Sequence, residues 1–279
     1  MKRCSCPTTA TKTQMLNNVF LKTLWDQRHS FMWWGIGMVA ISLVTMLFYP
    51  SVSNAPELND ILSDENSLMK AFIGDIEDLT SPEGFMNSQL FFLLLPMLFL
   101  GFAVTQGSST IAGEEEKGTL DLLMSSPISR RLVLVHKWAA MLAAIIALVA
   151  ATWIGLAVGV VAVDMDISLL KVAAATLSAG FLGMAFGSLA LALGATTGRR
   201  AFSIAIGSVV GVTTYLINAL TPAVEALEPA RYISPFHYYS GSDPITNGLH
   251  LGHVGVLLLI ATALYALATV TFERRDLGI

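Results

Sequence analysis

Charge is scarce in this sequence. Asp, Glu, Lys and Arg together make up 13% of its 279 residues, about half the share of a soluble domain. Hydrophobic residues reach 54% and the mean hydropathy is +0.65. A chain of this kind is solvated mainly by lipid. Cysteine is scarcer still, with Cys4 and Cys6 the only two. In "CSC" they stand too close for an unstrained bridge, and with no further soft ligand nearby no metal site is expected. No Gly-Lys pair occurs, which removes the G-x-x-x-x-G-K-[ST] loop for ATP, and no H-E-x-x-H occurs for zinc. No cofactor is therefore expected in this chain, and no residue is assigned a catalytic role. His29 lies in the N-terminal segment. His136, His237, His250 and His253 lie near span ends, with no ligand set around them. A cleavable leader is not expected either, because the first apolar run starts only at Phe31 and is long enough to stay as a span.

What the sequence does have is long apolar runs. Six are present, at residues 31–49, 89–112, 133–163, 169–197, 201–222 and 251–272. At 1.5 Å per residue, even the shortest reaches about 28 Å, the depth of a hydrocarbon core. The expected fold is an all-α polytopic membrane protein with six transmembrane helices. Residues 1–30 form a tail and an amphipathic helix, 31–273 the transmembrane domain, and 274–279 a short end.

Thirteen of the 16 Lys and Arg residues fall on one side of these spans. They include Lys117, Arg130, Arg131 and Lys137 around the second loop, and the pairs Arg199–Arg200 and Arg274–Arg275. Only Lys70, Lys171 and Arg231 fall on the other side. The positive-inside rule then places both termini in the cytoplasm, with the chain in the cell membrane. With Lys137 counted at the loop edge, the span interiors hold no charge, which argues against a proton-coupled pump.

The segments between spans carry their own patterns. In residues 14–30, Met15, Leu16, Val19, Phe20, Leu24 and Trp25 recur at helical spacing. This predicts an interfacial helix that bends into the membrane near Trp33 and Trp34; a plain extension of the first span is the alternative. The outer loop, 50–88, is acidic and reads either as amphipathic helices capping the outer face or as a solvated loop. In it, "SPEG" reads as a helix start with Ser81 as cap and Pro82 in the first turn. The segment 221–250 holds Pro222, Pro229, Pro235 and Pro244, which forbid one continuous helix. Short re-entrant or interfacial helices suit it. Tyr232, Pro235, Phe236, Tyr238 and Tyr239 make it a candidate outer gate, with an aromatic belt as the alternative. Three G-x-x-x-G pairs, Gly155/Gly159, Gly183/Gly187 and Gly207/Gly211, predict close helix packing within the bundle or between two copies.

The loop at 113–131, "GEEEKGTLDLLMSSPISRR", is the most distinctive. Gly113 ends the second span, and Glu114, Glu115, Glu116 and Lys117 are expected in solvent at the membrane edge. Leu120, Leu122, Leu123 and Met124 follow beside Asp121 as a short apolar face, and Pro127 ends it. Exposed leucines on a short helix predict a docking partner.

"GEEEKGTLDLLMSSPISR" resembles the second–third loop of permease subunits of type-2 ATP-binding-cassette (ABC) exporters. "RYISPFHYYSGSDPITNG" resembles their fifth–sixth connection, and "TFERRDLGI" their common ending. The resemblance implies a permease that pairs with a second copy or a related permease and with two separate ATP-binding subunits, which hold ATP and Mg. It makes the loop a coupling helix: Glu114, Glu115, Glu116 and Gly118 shape its start, and Thr119, Leu120, Asp121, Leu122 and Leu123 make or support the ATPase contact. The family often has an arginine where this chain has Glu115. Membrane lipid is an expected partner, and nucleic acid is not. Two other classes compete. A secondary transporter without an ATPase suits charge-free spans. An intramembrane protease would use paired glutamates, but the arginine and histidines it needs are missing.

Overall fold

The computed structural model describes residues 9–55, 78–120, 128–241 and 243–275. Among them, six helices are long and apolar enough to cross a membrane, and no strand occurs. The chain is an all-α, multi-pass membrane protein. The acidic stretch 56–77, Cys4 and Cys6, and Asp121 to Pro127 lie outside the described residues.

The first helix, α1 (Thr9–Leu47), is 39 residues long, or about 58 Å. It runs without a break through Trp33 and Trp34. No separate interfacial helix is formed there; the segment continues the helix of the first span, the alternative reading. No proline or glycine lies between Thr9 and Trp34, so nothing in the backbone interrupts the hydrogen-bond ladder. A short α2 (Tyr49–Ser53) follows.

The second span starts where "SPEG" predicts it. Ser81 caps α3 (Pro82–Met86), its hydroxyl accepting from the Gly84 amide at 3.1 Å. A π-helical turn (Asn87–Phe91) comes next, then α4 (Leu94–Thr110). The break between them has a cause in sequence. Pro96 has no N–H for the Phe92 carbonyl, and its ring crowds that carbonyl. A short α5 (Ala112–Glu116) follows α4. The remaining spans are α6 (Arg130–Ala162), α7 (Leu169–Thr197), α8 (Arg200–Leu220) and α12 (Leu251–Arg274). Between the last two sit α9 (Glu228–Arg231), α10 (Pro235–Ser240) and α11 (Pro244–Asn247). Three of the four prolines that forbid a single helix in this connection stand in the first turn of these short ones, where no amide is missed.

Helix α7 is the centre of the bundle. Of its most apolar stretch 78% is buried, against 22% for α1 and 17% for α12. It packs on α4, α6, α8 and α12. Its small residues make this possible. A Cβ on Gly107 of α4 would run into the Gly187 carbonyl of α7, so the two backbones touch with no side chain between them. The six glycines of the G-x-x-x-G pairs all face helices of the same chain: Gly155 and Gly159 meet α1, while Gly183, Gly187, Gly207 and Gly211 meet α4.

Successive spans alternate in direction. Lys22 and Asp26 of α1 line one cavity with Glu114, Lys137 and Arg200, which defines a hinge end. At the opposite end, Tyr49 packs on Phe85 with ring centroids 5.4 Å apart, and Trp153 Nε1 donates to the Leu169 carbonyl at 3.1 Å.

Candidate functional site

At the hinge end, α4 stops at Ile111 and the chain turns sharply through α5. Gly118 takes a left-handed backbone, φ +67°, which an L side chain resists. The turn is closed by the Gly118 amide donating to the Glu115 carbonyl at 3.0 Å and the Thr119 amide to the Glu114 carbonyl at 2.9 Å. The Thr119 hydroxyl adds a bond to the same Glu114 carbonyl at 3.2 Å.

Glu116 and Lys117 are exposed, as expected, while Glu114 and Glu115 are partly buried, and all three glutamates are engaged by other elements. Successive helical residues point about 100° apart, so the three carboxylates reach three different elements. Glu114 forms an ion pair with Lys137 of α6. The Lys137 ammonium is buried, 2% exposed, and also donates to the Thr110 carbonyl at 2.7 Å. Glu115 receives two bonds from Arg275, Nη1 to Oε2 at 2.9 Å and Nη2 to Oε1 at 2.6 Å. Glu116 Oε1 accepts from the Arg200 backbone amide at 2.9 Å. Arg199, at the N-cap of α8, offers no capping acceptor, so Glu116 supplies one from outside at the positive end of that helix.

The chain after α12 locks onto the same region. Arg130 donates to the carbonyls of Phe272 at 3.3 Å and Arg275 at 2.8 Å. Arg131 pairs with Glu273 through Nε and Nη2, along one edge of its guanidinium.

Leu120 also departs from expectation. It is 2% exposed and sits in a small core with Ile111, Leu134, Leu191 and Phe272. Its side chain anchors the loop to the bundle and does not face outward. Asp121, Leu122 and Leu123 lie outside the described residues. Lys137 is the residue that sequence reasoning misplaced, counting it at a solvated loop edge. A cation two turns inside an apolar helix requires a partner, and that requirement was the available signal.

At the far end, the gate candidates divide. Phe236 is 1% exposed and lies against Phe186 and Tyr215, with centroids at 5.8 and 5.5 Å. Tyr239 is also buried, and its hydroxyl donates to the Phe91 carbonyl in the π turn at 2.6 Å. Burial pushes its phenol pKa well up. Pro235 opens α10, where the Ser234 hydroxyl accepts from the Phe236 amide at 3.2 Å and donates to the Thr214 carbonyl at 2.8 Å. Tyr232 is exposed, and Tyr238 reaches back to its carbonyl at 2.9 Å. So Phe236 and Tyr239 plug the bundle, while Tyr232 faces outward as a belt residue would. Beside the plug is a cavity of about 220 Å³ that includes Asn87, Asn218, Arg231 and Asp243. His237, next to Phe236, has its pKa lowered by burial and by the nearby Arg231 and His253. Among the described residues no group of His, Cys, Asp and Glu is placed to hold a metal ion.

A family model described as "ABC-2 family transporter protein" matches residues 17–277. No individual curated protein matches the chain.

Proposed function

Since this chain belongs to the ABC-2 family of transporter proteins, we propose that it lines the substrate path of an exporter driven by a separate ATPase. Two ATP-binding subunits hold ATP and Mg, and the second permease is another copy of this chain or a relative. The hinge end and both termini face the cytoplasm, across the plasma membrane from the aromatic plug. The segment that begins at Gly118 and Thr119 and continues through Asp121, Leu122 and Leu123 is the seat of the ATPase, and buried Leu120 ties that seat to the bundle. The outer gate is the seam at Phe236 and Tyr239, flanked by Tyr232, Pro235 and Tyr238.

The observation that supports this reading is the triple hold on Glu114, Glu115 and Glu116. A displacement of the hinge would reach α6, α8 and the end of α12 together, as coupling of a moving ATPase to a membrane path demands. The test is a double variant, Leu122→Asp with Leu123→Asp, co-expressed with the ATP-binding subunit. Loss of co-purification and of transport is expected, with the thermal unfolding of the permease unchanged. Normal co-purification and transport by that variant would show the coupling assignment to be wrong. Leu120→Asp is unsuitable for this purpose, because a charge at a buried site disturbs the fold itself.

A further inference from the structure

The hinge end contains a second feature that coupling does not use. A cavity of about 300 Å³ opens beside α5 and runs between α1 and α4. Polar residues at helical spacing face each other across it: Lys22, Asp26 and Ser30 on α1, and Gln106 and Thr110 on α4, with Gly113 of α5 at the hinge. Gln106 is about 6 Å deeper than Thr110 along α4. An amide at that depth in a membrane protein is costly unless its hydrogen bonds are made.

They are not made within the protein. Gln106 is 3% exposed, and its Nε2 has no partner among the described residues. Arg200 Nε, from the start of α8, is also buried and unpartnered, and so is Gln27 Oε1 of α1. The lining carries four cations, Lys22, Lys117, Lys137 and Arg200, against two carboxylates, Asp26 and Glu114. Lys137 is already satisfied by Glu114 and Thr110, and Glu116 just outside is engaged by the Arg200 amide. That leaves one unused donor at depth on Gln106, another on Arg200 beside Gly113, and an excess of positive charge toward the mouth, where Lys22 and Lys117 are exposed.

We propose that this cavity is a binding site for a phosphate group, with Gln106 as its deep donor, Arg200 as a second donor beside Gly113, and Lys22 and Lys117 at its mouth. A tetrahedral oxyanion offers several acceptor oxygens to an arginine and an amide at once. Gln27 Oε1 takes a hydroxyl carried by the same group. The cavity lies at one end of the bundle, where the headgroups of a surrounding bilayer stand, and basic pockets between spans recognise anionic headgroups. A phospholipid headgroup and a soluble phosphate share this chemistry.

The experiment uses the full chain, purified in detergent and stripped of lipid. Binding of short-chain phosphatidylglycerol, short-chain phosphatidylcholine and inorganic phosphate is measured by titration and by the shift in thermal unfolding. The anionic lipid is expected to bind about tenfold more tightly than the zwitterionic one, and Lys22→Gln and Gln106→Leu are each expected to remove that preference. Lys22 is exposed, and Gln106→Leu removes an amide that has no partner, so both variants retain the fold. If inorganic phosphate binds with the same sensitivity to both variants and the lipid does not, the site takes a soluble phosphate. Absence of binding by both probes, or wild-type affinity in both variants, overturns the proposal.

Discussion

Arg275 closes on Glu115 with two hydrogen bonds, of 2.9 and 2.6 Å, across 160 residues of chain. Both side chains are partly shielded, 22% and 31% exposed. Bidentate geometry of this kind contributes more than a surface ion pair. Arg275→Ala is expected to lower stability by about 1–2 kcal/mol. A double-mutant cycle with Glu115→Gln, read by thermal unfolding in detergent, should give a coupling energy well above zero. Additive effects would show that the two groups do not hold each other.

The Glu114–Lys137 pair should respond asymmetrically. Glu114→Ala leaves the buried Lys137 ammonium with only the Thr110 carbonyl, at a cost of about 3–5 kcal/mol. Lys137→Met removes the buried charge itself and fills its volume with an apolar chain, leaving Glu114 at the wet cavity, and should cost clearly less. Thermal midpoints of the two variants decide this. A larger loss in Lys137→Met would contradict the burial of the ammonium.

Glycine contacts predict a contrast between two alanine variants. Gly107→Ala drives a methyl into the Gly187 carbonyl, which cannot rotate away. It should destabilise by about 1–3 kcal/mol. Gly37→Ala on α1 meets nothing within 4 Å and should be neutral or slightly stabilising, because alanine favours helix. Comparing expression and unfolding of the pair checks the central packing directly.

Helix α10 should weaken in acid. The His237 pKa is held below its usual value near 6.5 by burial and by Arg231 and His253. The unfolded chain therefore binds a proton first as pH falls, and stability present above about pH 6.5 is lost below it. Tyr232 and Tyr238 also pack on the ring, and His250 stands beside His253. Faster hydrogen exchange across residues 235–240 is expected at about pH 5.5 than at about pH 7.5. His237→Phe should remove the difference; an unchanged pH response would assign it to the other histidines.

The spans were legible because lipid imposes a simple rule: about 20 apolar residues in a row must form a helix. The Ser81 cap was legible for a local reason, since a hydroxyl before a proline has few other uses. The hinge was harder. Three adjacent glutamates read as a solvated run, because their partners Lys137, Arg275 and Arg200 are far away in sequence. Periodicity reports which face of a helix is apolar, and it does not report which distant charge will stand opposite. Leu120 was misread for a similar reason. A leucine beside Asp121 looks exposed until Ile111, Leu134 and Phe272 are brought around it. The unbroken entry of α1 into the first span follows from what residues 9–34 omit, a proline or glycine, more than from their apolar face.

The touching backbones of α4 and α7 bear on how such a bundle can change shape. Helices separated by side chains can accommodate sliding by switching rotamers. At Gly107 and Gly187 there are no rotamers to switch, so this pair behaves as a single girder. Relative motion of the helices must then be taken up at the periphery, where α1, α8 and α12 bury the least surface. In that view the centre of the molecule is its fixed frame, and the outer helices are its moving parts.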